Sequence, residues 1–302
     1  MRPIDAVRDM LKSLVGGPDT PFMARRAQAE QFAAAFVAPD DVAIAPGTLG
    51  GIPVEWITPS GAHPARTFFH LHGGGYVLGH PAGSRPFTTE FARLAHCSVV
   101  SIDYRLAPEH PFPAAVDDAL AAYRALLAGG REAGDIAVGG ESAGGGLAVA
   151  TVLAARDAGL PLPASLALIS PWTDMRCAAE SFDSKAAVDP LLTRRSLKEM
   201  ADAYMGAGDP AQPLASPALG DLKGLPPMLI HVGSDEVLLD DATALADAAR
   251  AVGVDATLEI WPEMIHVWHM FHPMLPEGAA ALRQMAAYTV GTWDRQARGE
   301  RT

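Results

Sequence analysis

The chain has 302 residues, is 49% hydrophobic and carries a formal net charge of -12. That is ample apolar material for one large core, and the acidic balance argues against nucleic acid as the main partner, because phosphate binding needs a basic surface. Two cysteines, Cys97 and Cys177, make no disulfide framework and fit a reducing compartment.

Ile4, Val7, Met10, Leu11 and Leu14 recur at helical spacing and predict an amphipathic helix over residues 4–17. A second helix is expected over 22–36. The N-terminal stretch MRPIDAVRDMLKSLVGG carries charges throughout and lacks the continuous apolar core of a signal peptide. No run of about 18 apolar residues is present to span a membrane, so a cytoplasmic protein without stable membrane insertion is expected. The modest charge on the polar face of the first helix suits a cap helix better than a membrane-surface element.

Strand-like segments follow at 42–45, 52–57, 67–71, 98–103, 136–138, 165–169, 228–232 and 257–261. Helix-like segments lie between the later ones, at 87–94, 114–127, 143–156, 240–251 and 278–295. This alternation predicts an α/β fold with a mostly parallel central sheet and helices on both faces. Residues 175–215 break the rhythm around one helix at 193–205. They read as an excursion packed with the N-terminal helices as a cap. The expected organisation is residues 1–45 in a helical cap and 46–302 in the catalytic domain, with 175–215 contributing to the cap.

The stretch Gly140-Glu141-Ser142-Ala143-Gly144 fits G-x-S-x-G. Alone this is a weak signal, since a glycine-rich turn with a bystander serine looks the same. Its setting, a strand ending near 138 and a helix starting near 143, is the one a nucleophile elbow requires. The serine must adopt a strained backbone, and side chains at Gly140 and Gly144 would meet the neighbouring strand and helix. Directly after the segment 67–71 comes His72-Gly73-Gly74-Gly75-Tyr76. Three glycines there let backbone N–H groups approach a ligand. Gly74 and Gly75, with the N–H of Ala143, are the natural donors to a developing oxyanion. His72 reads as an orienter of this loop.

HGGGY at 72–76, SIDYRLAPEHPFPAAVDD at 101–118, GESAGG at 140–145 and SPWTD at 170–174 together resemble the hormone-sensitive-lipase-like (family IV) bacterial esterases. The resemblance runs from about residue 65 to 275. It implies the α/β-hydrolase fold with a helical cap, carboxylic ester hydrolysis, and no metal or organic cofactor. Glu141 stands where the family often has aspartate, and His80 where a small polar residue is expected. Some family members pair through an edge strand, which extends the expectation to a homodimer.

A serine hydroxyl needs a base, and in α/β-hydrolases the order along the chain is serine, acid, histidine. The loop after 228–232 offers Asp235 and Glu236, with Asp240 and Asp241 beyond. The loop after 257–261 offers His266. Asp235 resembles the family's acid, Asp240 and Asp241 suit capping of the following helix, and His266 resembles the family's base. The expected triad is Ser142, Asp235 and His266, acting on short- to medium-chain acyl esters through an acyl-enzyme. His266, His269 and His272 recur every third residue, but no acidic residue completes a metal-binding pattern. His231 lies within a strand and reads as buried and hydrogen-bonded. Tyr76 and Trp172 are expected to line the substrate pocket, although Trp172, following a strand in SPWTD, suits packing equally well. An amidase, deacetylase, lactone or polyester hydrolase would use the same triad. A non-catalytic binding protein on this scaffold should have lost a triad member.

Overall fold

The computed structural model describes residues 2–14, 20–26 and 36–300. Eight strands form one sheet: β1 (Val42–Leu49), β2 (Ile52–Pro59), β3 (Thr67–Leu71), β4 (Ser98–Ile102), β5 (Ile136–Glu141), β6 (Ser165–Ile169), β7 (Met228–Gly233) and β8 (Ala256–Trp261). Their order is β1-β2-β4-β3-β5-β6-β7-β8. β1 and β2 form an antiparallel hairpin, β2 pairs antiparallel with β4, and every later pairing is parallel. The central strands β3 to β6 are buried along their whole length, which is why they read as short apolar runs without alternation.

Helices α2 (Arg85–Ala95) and α7 (Pro276–Ala297) cover one face. Phe87, Phe91, Leu282 and Trp293 pack there against Phe68, Val99 and Leu229. Helices α3 (Ala114–Ala128), α4 (Ala143–Asp157) and α6 (Leu239–Ala251) cover the other, where Tyr123, Leu147 and Leu245 meet Phe69, Val138 and Ile230. Burying each such large side chain contributes about 1.5–3 kcal/mol. The excursion between β6 and β7 carries α5 (Arg194–Met205), whose Leu197, Met200 and Tyr204 join this second core. A separate small cluster docks α1 (Pro3–Leu14) through Ile4, Val7 and Leu11 onto Met264, Ile265 and Trp268.

Two sequence expectations need adjustment. Residues 42–45 belong to β1 and so to the sheet, not to a cap. β5 runs three residues past 138 to Glu141, because Gly139 and Gly140 remain in register with Ala167 and Leu168 of β6. Of the helix expected over 22–36, residues 22–26 are helical and 27–35 lie outside the described residues. Among the described residues no helix is long and apolar enough to cross a membrane.

The topology places the functional loops. β3 lies between β4 and β5, so the connections leaving β3, to β4, and β5, to β6, run in opposite directions. Such a switch point opens a crevice at the carboxyl ends of the strands. The loops after β3 and β5 both end there, and they carry HGGGY and Ser142.

Candidate active site

Ser142 sits between β5 and α4 with φ 57° and ψ −123°, a conformation costing about 1–3 kcal/mol for a residue with a side chain. The surroundings hold it there. Its N–H donates to the Ile169 carbonyl (2.9 Å), and its own carbonyl accepts from Trp172 N–H (2.9 Å). A Cβ at Gly144 would fall 2.0 Å from the Leu71 carbonyl oxygen, and one at Gly140 would fall 2.2 Å from it. Both glycines are therefore required by close approach to β3. Ala143 opens α4, so its N–H is among those with no acceptor inside the helix.

The glycine loop crosses this turn closely: a Cβ at Gly73 would lie 3.3 Å from that of Ser142. Gly73 N–H is already committed, donating to Glu141 Oε1 (2.9 Å). Gly74 and Gly75 have φ 122° and 62°, and among the described residues their N–H groups have no acceptor. Ser84 Oγ donates to the same Glu141 oxygen (2.6 Å), while His70 Nε2–H donates to Oε2 (2.8 Å) and Ser101 backs His70 at Nδ1 (2.8 Å). Burial raises the Glu141 carboxyl, but His70 and the other two donors, Ser84 and Gly73, outweigh it and leave it below its ordinary range. Glu141 is thus the buried anchor of the glycine loop. His72 stacks on Tyr104 at 4.1 Å and donates from Nδ1 to Gly73 O (2.8 Å). Burial pushes its pKa down to about 4, which keeps it neutral and fits the orienting role expected for it.

The acid facing His266 is Glu236, not Asp235. His266 Nδ1–H donates to Glu236 Oε2 at 2.7 Å. Glu236 has no exposed surface, and its other oxygen accepts from Ser170 Oγ (2.8 Å) and Gly233 N–H (2.6 Å). Asp235 turns the opposite way, to Arg8 of α1 (2.5 Å), and Arg8 also donates to the Glu263 carbonyl (2.9 Å). Adjacent residues in this tight loop cannot both face His266, and the longer side chain is the one that reaches it. The acid loop has two further supports from the 175–215 excursion. Val237 N–H donates to Asp189 Oδ2 (2.9 Å) and Ser181 Oγ donates to Val237 O (2.6 Å). Burial lifts the Asp189 carboxyl above its ordinary range, against the pull of nearby His266.

The remaining histidines of the run diverge. His269 Nε2 pairs with His231 Nδ1 (3.0 Å), and His272 Nε2 donates to Pro86 O (3.0 Å). His231 is buried and hydrogen-bonded, as its place in a strand suggested. Tyr76 differs from expectation, and Trp172 takes the packing alternative. They are 1% and 0% exposed, so neither presents surface to a ligand. Tyr76 stacks on Tyr204 of α5 at 3.9 Å, and Trp172 Nε1–H donates to Asp174 O (3.2 Å). They support the glycine loop and the loop after β6 from behind. Their size and place beside family motifs gave no indication of which way the rings turn.

Asp240 and Asp241 also do something other than cap α6. Asp240 accepts from Ser181 N–H (2.8 Å). Asp241 Oδ1 accepts from the N–H groups of Thr173 (2.9 Å) and Asp174 (3.0 Å), while Oδ2 has no partner among the described residues. Burial, with the charges of Asp174 and Asp240, pushes the Asp241 pKa up to about 7 against those two N–H bonds. A folded pKa above the unfolded value favours the protonated form. Its stabilisation is complete below pH 4 and is lost as pH rises through 7. Asp241→Asn keeps the accepting oxygen and removes the charge. The expected result is a melting temperature roughly 5 °C above wild type at pH 8 and a gap less than half as large at pH 5. Thermal denaturation at the two pH values checks this, and a shift that is the same at both contradicts it.

Comparison with known proteins bears on the fold. A family model described as alpha/beta hydrolase fold matches residues 68–270. The chain is 49% identical over 263 residues to an acetyl-hydrolase of Streptomyces hygroscopicus, covering 87% of this chain and 86% of that one. A crystal structure of an esterase from the bacterial hormone-sensitive lipase family superposes with a TM-score of 0.93 at 44% identity, covering 96% of this chain and 98% of the other. An esterase/lipase from an uncultured bacterium gives the same score over 97% of this chain and 99% of that one. The fold and the serine turn define an α/β hydrolase. The chain belongs to the alpha/beta-hydrolase fold family, within its hormone-sensitive-lipase-like esterases.

Proposed function

We propose that the protein is a serine carboxylesterase of short- to medium-chain acyl esters, with Ser142 as nucleophile, His266 as general base and Glu236, in place of Asp235, as the acid that orients it. The observation that carries this reading is the pairing of His266 with a fully buried carboxylate, in a chain that also holds Ser142 in a strained turn between a strand and a helix. A carboxylate can only accept, so Glu236 fixes the proton on His266 Nδ1 and leaves Nε2 to take the Ser142 proton. Attack on the ester carbonyl then gives a tetrahedral oxyanion within reach of the N–H groups of Gly74, Gly75 and Ala143. His266 protonates the departing alcohol, and water repeats the sequence on the acyl-enzyme. The name of the 49% identical acetyl-hydrolase supports the short end of the acyl range.

The test is hydrolysis of p-nitrophenyl acetate, butyrate, octanoate and palmitate, with p-nitroacetanilide as the amide arm. Wild type is expected to favour the short esters. Ser142→Ala and His266→Ala should each lose on the order of 10⁴-fold or more in kcat. Retention of activity by Ser142→Ala, or a preference for the anilide, overturns the reading.

A further inference from the structure

We propose that Ser170 is a positioning residue that fixes the acid–base pair relative to the nucleophile. This rests on the assignment of Ser142, His266 and Glu236 above. Ser170 follows β6, is fully buried and adopts φ 46°, a left-handed conformation unusual for serine. Its hydroxyl uses both of its capacities. It donates to Glu236 Oε1 (2.8 Å) and accepts from the N–H of Val267 (3.2 Å), the residue that follows His266.

The same few residues hold the nucleophile. Ile169, immediately before Ser170, accepts the Ser142 N–H, and Trp172, two residues after it, donates to the Ser142 carbonyl. Ser170 N–H itself donates to the His231 carbonyl of β7 (2.7 Å). One short segment therefore binds the serine turn through its main chain and the Glu236–His266 pair through one hydroxyl. The nucleophile and the base come from loops more than 100 residues apart. Their separation depends on whatever connects those loops, and misplacement by about 1 Å costs catalysis heavily. Only a short neutral side chain that both donates and accepts can satisfy a carboxylate and an N–H at once.

Ser170→Ala and Ser170→Gly test this together. Both remove the hydroxyl, while glycine also relieves the positive φ and alanine does not. Kinetics on p-nitrophenyl butyrate are measured well below each variant's melting temperature, with Ser142→Ala as the control. The expected result is that both variants lose roughly 10-fold or more in kcat with KM within about 2-fold, since positioning acts on the chemical step and not on binding. Wild-type kcat in both variants, with Ser142→Ala inactive, overturns the proposal and leaves the esterase assignment standing. Loss in the alanine variant alone traces the effect to backbone strain and also overturns it. An active Ser142→Ala overturns the site assignment itself.

Discussion

Replacing Glu236 by glutamine is expected to lower kcat roughly 10³- to 10⁴-fold, while Asp235→Asn changes it by less than about 10-fold. The difference follows from what each carboxylate touches. Glu236 meets donors on both oxygens: His266 Nδ1–H on one, Ser170 Oγ–H and Gly233 N–H on the other. A glutamine must turn its NH₂ toward one side. Facing His266, it forces the proton to Nε2 and removes the base. Facing Ser170 and Gly233, it sets donor against donor. Asp235 touches Ser234 Oγ and Arg8 at the edge of the site, and its ion pair is about one-fifth exposed on each side, so its loss is felt only through the loop. Steady-state kinetics of the two variants decide the matter. Equal losses, or the larger loss at Asp235, would return the acid's role to Asp235.

Glu141→Ala is expected to lower both activity and stability. Removing this carboxylate strands a buried histidine, a buried hydroxyl and the Gly73 N–H at once. Breaking a buried charged network from one side costs about 3–5 kcal/mol, equivalent to a melting temperature lower by roughly 10 °C in a chain of this size. The glycine loop also loses the bond that holds it over Ser142, so the oxyanion donors drift. Loss of a single such donor costs about 10²- to 10³-fold in kcat, and a loss near the lower bound is expected in the cold, where the variant remains folded. Differential scanning fluorimetry and kinetics at 10 °C check the two effects separately. A variant that is less stable but fully active would show that the loop needs no such anchor. The folded pKa of Glu141 is lowered, so its contribution is present at neutral pH and is lost only in acid, as pH falls through that value.

The serine turn and the glycine loop were legible in the sequence because their demands fall on the backbone. A chain that must pass 2.0 Å from where a Cβ would stand has to use glycine, and that requirement is written in one letter. The strands β3 to β7 were legible because burial on both faces leaves short apolar runs at regular intervals, and the helices between them because their apolar residues recur at helical spacing. Side-chain direction leaves no such trace. Asp235 and Glu236 are adjacent acids in one loop, and order along the chain does not distinguish them. The information that does is Arg8, 227 residues away, which draws Asp235 outward. Tyr76 and Trp172 were ambiguous in the same manner, because an aromatic ring beside a family motif can turn toward the pocket or toward the core. Ser170 carried a faint signal as the first residue of SPWTD, but its partners lie in two other loops.

The docking of α1 has a consequence for heat inactivation. The helix rests on a small patch of apolar side chains supplied by the segment around His266, and Arg8 ties the acid loop to the base loop. Twelve residues held in this way open at far lower cost than an eight-stranded sheet. Detachment of α1 frees the loops carrying Glu236 and His266 while β3 to β7 stay folded. Activity therefore has its own melting point, below that of the fold, and an enzyme that looks intact by circular dichroism can already be silent.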